Sequence, residues 1–76
     1  MTKLEKNLFV AARNSLNRWQ RLMHIGAEEY AAEGRKCPDW LWDSIRKENA
    51  RFKELLSVIR DVGLEEEFHN WRNAEQ

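Results

Sequence analysis

Residues 35–43 read RKCPDWLWD: Arg35, Lys36, Cys37, Pro38, Asp39, Trp40, Leu41, Trp42, Asp43. The stretch holds the only proline, the only cysteine and two of the four tryptophans of a 76-residue chain. It follows Gly34, a residue that tolerates the left-handed geometry in which helices commonly end. Proline fits the first position of a helix, where its missing N–H would have been unpaired anyway. Asp39 and Asp43 put negative charge near the positive N-terminal end of such a helix. Together these residues predict a corner between two helices, with one ending at Gly34 and the next starting at Pro38.

The flanking patterns agree with a corner. Before it, Phe9, Ala12, Leu16, Trp19, Met23, Gly26 and Tyr30 recur at steps of three and four, one stripe of a helix widened by Leu8, Leu22 and Ala27. Thr2 with Glu5 three residues on makes a capping box. The spacing predicts a helix over about 3–33. Gly26 costs roughly 1 kcal/mol in a helix interior relative to alanine, and its place on the stripe suggests close approach of another helix. After the corner, Leu41, Trp42, Ile45, Phe52, Leu55, Leu56, Ile59 and Val62 form a second stripe, interrupted by Glu48 and Asn49, in a helix over about 38–62. Gly63 ends it. A short third helix over about 64–72 has Leu64, Phe68 and Trp71 as its apolar face, Glu65, Glu66 and Glu67 at its start and Arg72 at its end, a charge order that suits the helix dipole. No run of five or more residues alternates cleanly, so strands are not expected.

The fold predicted is all-α: an antiparallel hairpin of two long helices across the turn at 34–37, plus the short third helix, in one domain. Pairing outward from the corner puts Tyr30 near Trp42, Met23 near Asn49, Trp19 near Phe52 and Leu16 near Leu56. The third helix covers part of the exposed flank near Phe9, Ala12 and Ile59. A chain this short buries only about 60% of its unfolded surface, and a lone cysteine makes no internal disulfide. A second copy, giving a homodimeric helical bundle, is the remedy the sequence favours.

Thirteen basic and thirteen acidic residues cancel, which excludes a strong whole-molecule field. Locally, residues 1–25 and 35–60 are net positive, and 26–34 and 61–76 net negative, an alternation able to pair segments within one molecule or between two. No apolar run approaches the ~20 residues of a membrane span, and the first residues lack the apolar core of a secretion signal. The sequence therefore predicts a cytoplasmic protein with no membrane association.

The candidate sites lie on the same frame. Cys37 sits beside Arg35 and Lys36 at a helix start, features that favour thiolate. A nucleophilic role also needs a base, and His24 and His69 lie elsewhere, so a plain loop cysteine is the competing reading. The spacing of Cys37, His24 and His69 is not that of a zinc site, and no metal or other cofactor is expected. There is no glycine-rich phosphate loop and no carboxylate pair, so no enzyme is expected.

Trp19 and Trp42 read as core. Trp40 stands some 200° around the helix from Trp42, so the two cannot point into the same core. Tyr30, Cys37, Trp40 and Trp42 at the corner, with Trp71 as a second anchor, are the candidate surface for a protein partner, and the predicted role is that of a small regulator, adaptor or inhibitor. The competing surface is basic: Arg18, Arg21, Arg46, Lys47 and Arg51 on the outer faces can grip nucleic-acid phosphates, although Glu28, Glu29, Glu48 and Glu54 interrupt them. A self-assembling structural bundle is the third possibility. Chains of this size and make-up occur as accessory proteins of phages and mobile elements, but no motif here carries that origin.

Overall fold

A computed structural model describes residues 1–75. Helix α1 spans Lys3–Ile25, α2 spans Asp39–Asp61 and α3 spans Glu65–Glu75. Among the described residues there is no strand. The all-α class, with two long helices and a short third, is therefore the one the stripes predicted. The two long helices fold back on each other, and the molecule is a rod of 46 × 22 × 17 Å.

Each element starts and stops for reasons visible in its residues. Thr2 Oγ1 accepts the amide hydrogen of Glu5 at 3.1 Å and caps α1. Both long helical stretches close in the same way. Gly34 has φ +72° and Gly63 φ +76°. The Arg35 amide donates to the Tyr30 carbonyl at 2.7 Å and the Gly34 amide to Ala31 at 3.1 Å. At the second end, Leu64 donates to Ile59 at 2.9 Å and Gly63 to Arg60 at 3.0 Å. This is the Schellman pattern, in which the left-handed residue lets two amides turn back onto otherwise orphaned carbonyls.

Three features differ from the simplest sequence expectation. First, α-helical bonding stops at Ile25. Gly26–Tyr30 forms a π turn and Ala31–Glu33 a 3-10 turn before Gly34. The stripe runs through these residues, but the backbone winds wider and then tighter. Second, Pro38 is the N-cap and not the first helical residue: its φ is −69° and ψ 155°. The fixed φ of proline suits extended and helical backbone alike. The extended ψ is the usual conformation of an N-cap residue, and the Pro38 carbonyl accepts from Leu41 at 3.1 Å. Third, residues 35–38 return outside any helix, and such chain covers about twice the length per residue that helix does. Gly26 therefore packs on Leu41 and Cys37 and Arg18 reaches Glu48, each about one and a half helical turns nearer the start of α2 than outward pairing placed it.

The main core lies at the open end of the hairpin. Phe9, Ala12, Ile59 and Phe68 are fully buried, with Leu8, Phe52, Leu55, Leu56, Leu64 and Trp71 packed around them. Phe9 meets Phe68 edge-on at 5.4 Å and Trp71 at 5.7 Å between ring centroids. The third helix thus covers the flank around Phe9, Ala12 and Ile59. Leu41 and Ile45 are buried at the corner end, beneath no third helix.

Candidate partner-binding groove

The corner end keeps its large apolar groups on the surface. Trp40 is 57% exposed, Trp42 47% and Met23 46%. The exposure of Trp42 corrects the expectation that it packs in the core. Leu41 takes the inward position, and the tryptophans on either side of it fall on opposite flanks of the hairpin, as residues two apart on a helix must.

Trp42 forms one wall of a shallow groove between the end of α1 and the start of α2. Met23, Gly26, Ala27, Ala31, Cys37, Trp42 and Ile45 line this hollow of about 230 Å³. Three of its lining residues, Gly26, Ala27 and Ala31, are small. Gly26 is buried, and a methyl group in its place would meet Leu41 Cδ2 at 3.6 Å and Cys37 Sγ at 3.7 Å. These are ordinary contacts, so the approach to α2 is close but does not demand glycine. The π turn, which widens the backbone at 26–30, forms one side of the groove, and π turns recur at functional sites. Cys37 is half-buried, with its thiol turned towards the Gly26 carbonyl.

The predicted anchors do not all meet here. Tyr30 is half-buried with the Arg35 guanidinium 4.9 Å over its ring, and it does not line the groove. Trp40 belongs to the opposite flank. Trp71 is at the other end of the rod, packed on Phe9 and Phe68 with Arg13 5.0 Å over its ring. Phe9 and Gly26 are separated by about 25 Å of helix at 1.5 Å per residue, so Trp71 and Trp42 cannot serve one small contact.

The basic candidates are divided too. Arg18, Arg21 and Lys47 line a second hollow with Leu22, Ser44 and Glu48. Arg18 donates to Glu48 Oε1 at 3.0 Å and to Ser15 Oγ at 3.3 Å, which explains why Glu48 interrupts the stripe. Ser15 is fully buried, a polar core residue that the stripe did not mark. Arg46 bonds Asp43 at 2.7 Å, and Arg51 is exposed. A third hollow, at the open end, is apolar and lined by Leu4, Glu5, Leu8, Val58, Val62 and Leu64. Leu4 and Val58 were outside the sequence-derived stripes. Both are partly legible in hindsight, since each continues a three–four step along the edge of its stripe.

Among the described residues, no group of three His, Cys, Asp or Glu side chains is placed to hold a metal ion. Nor, among the described residues, is any helix long and apolar enough to cross a membrane. Comparison with protein-family models, curated proteins and solved structures finds no match to this chain. The fold and its grooves define a helical hairpin with apolar surfaces at both ends.

Proposed function

We propose that this chain is a small non-enzymatic regulator, adaptor or inhibitor whose corner groove receives an apolar helix of a partner protein. The single observation that carries the reading is the groove itself, lined by the small residues Gly26, Ala27 and Ala31 together with Met23 and Trp42. Small lining residues admit a bulky side chain, and a flexible methionine beside a tryptophan adapts to its shape. A helix lying between two helices, anchored at one or two large residues, is a recurrent mode of recognition. Tryptophan is enriched among the residues that dominate such contacts. The chain acts in the cytoplasm in this reading, and as a homodimer through a surface other than the groove.

The test is affinity capture from the source cell, followed by titration of the purified partner against wild type, Trp42→Ala and Met23→Glu. Truncating a hot-spot tryptophan weakens affinity by about 30-fold or more, with no matching loss of thermal stability because the side chain is half exposed. A partner that binds the Trp42→Ala variant as tightly as wild type would remove the groove from this account.

A further inference from the structure

We propose that a second copy of this chain covers the flank opposite the groove, end for end, with Trp40 of each copy seated in the partner's open-end apolar hollow. The proposal rests on the homodimer put forward above and adds its surface, orientation and contacts.

Two hollows share this flank. Leu4 and Leu22 are eighteen residues apart, about five turns, so they lie on one line along α1. Val62 and Ser44 have the same separation on α2, and Val58 and Trp40 likewise. The open-end hollow, about 450 Å³, is lined by Leu4, Leu8, Val58, Val62 and Leu64, with Glu5 at its edge. Leu4 is 79% exposed and Val62 58%. The corner-end hollow is lined by Arg18, Arg21, Leu22, Ser44, Lys47 and Glu48. Trp40 lies one turn before Ser44 and is exposed.

Charge decides which occupant and which orientation fit. Along this side of α2 the order is Trp40, Ser44, Lys47, Arg51, Glu54, Val58, Asp61 and Val62: basic towards the corner, acidic and apolar towards the open end. Two copies aligned like end to like end would oppose Arg18, Arg21 and Lys47 to the same cations. Two copies related by a two-fold axis across the rod place Arg51 against the partner's Glu54. One turn outward, Lys47 meets the partner's Val58 and Asp61, and further out Trp40 meets the partner's Leu64. On α1 the same operation sets Arg21 near the partner's Glu5 and Leu22 near the partner's Leu4. Arg21, Lys47 and Arg51 then each find an acid of the second copy while Arg18 keeps its own Glu48, the aliphatic stems of Arg18 and Lys47 cover apolar surface, and the contact is made twice by symmetry.

Sedimentation equilibrium over a range of concentrations tests this with wild type, Trp40→Ala, Val58→Glu, Arg51→Glu, Glu54→Arg and the double reversal Arg51→Glu/Glu54→Arg. Circular dichroism monitors folding, which these exposed positions leave intact. Wild type sediments at twice the chain mass. Trp40→Ala and Val58→Glu each raise the dissociation constant about tenfold or more. Each single reversal weakens the dimer and the double reversal restores it. A wild-type monomer at all concentrations overturns both the dimer and this assignment. A dimer indifferent to Trp40→Ala and Val58→Glu overturns the assignment alone. A dimer sensitive to them, but weakened as much by the double as by the single reversals, overturns the end-for-end orientation.

Discussion

The two ends of the rod carry similar apolar side chains and treat them differently. At the open end, Phe9, Phe68 and Ile59 are fully buried under α3, with Trp71 closing the cluster. At the corner end Leu41 and Ile45 are buried beside Gly26, while Trp40, Trp42 and Met23 stay on the surface. Both ends carry apolar residues, and the burial at the open end follows one short helix: the flank that α3 does not cover still exposes Leu4, Val58 and Val62. Where α3 lies on the hairpin, large side chains become core. Where nothing lies on it, the same residue types become candidate binding surface. A hydrophobic stripe states that a face must be covered and does not state by what.

The largest expected effect breaks the open end. Phe68→Ala removes the side chain that ties α3 to Phe9, and large-to-small changes of this kind cost about 3–5 kcal/mol. In a chain of this size that is most of the stability, so the variant melts early or not at all cooperatively in calorimetry. The comparable loss at the corner, Trp42→Ala, costs less than ~1 kcal/mol. Equal costs at the two ends would mean that the corner has a core not apparent in its exposure.

A smaller effect separates two glycines, one read from the sequence as a helix stop and the other as a point of close helix approach. Gly34→Ala forces a side chain into the left-handed region, costing about 1–2 kcal/mol, because its φ is +72°. Gly26→Ala places a methyl at ordinary contact distance from Leu41 and Cys37 and gains up to about 1 kcal/mol of helix propensity. Chemical denaturation therefore shows shifts of opposite sign. A loss at Gly26 would show that the π turn itself requires glycine.

The smallest effect concerns the junction of α2 and α3. Arg60 Nε donates to Glu65 Oε2 at 2.7 Å. That hydrogen bond first, with the charge of Arg60 behind it, holds the Glu65 carboxyl below its ordinary range, while Arg60 is raised above its own. A depressed carboxyl contributes stability that is present above its unfolded pKa and is lost as pH falls through the folded pKa. Acidification through the carboxylate range therefore lowers the melting temperature, and Glu65→Gln reduces that dependence. Both groups are exposed, so the change is slight. An unchanged pH profile in Glu65→Gln would place the acid sensitivity in other carboxylates.

Several of these features were legible before any coordinates. The three–four spacing of Phe9, Ala12 and Leu16, and of Phe52, Leu55 and Ile59, follows from the helical repeat alone. Glycine at 34 and 63 marked the stops because only glycine enters the left-handed region cheaply. The divergence of Trp40 and Trp42 was also visible, since 200° of rotation cannot be undone by packing. That both would stay exposed was not visible, because the stripe placed Trp42 in the core and only the packed hairpin shows Leu41 taking the inward position instead. The π turn is not legible either, for the residues of 26–33 read as ordinary helix.

The sequence by itself determined three helices, their stops and the stripes that join them, because these depend on spacing and backbone stereochemistry within a few residues. The tertiary structure alone decided the register of the hairpin, the covering of one end by α3 and the exposure of Met23, Trp40 and Trp42 at the other. Those depend on contacts between residues distant in the chain, where a turn of offset along two packed helices changes which side chains meet water.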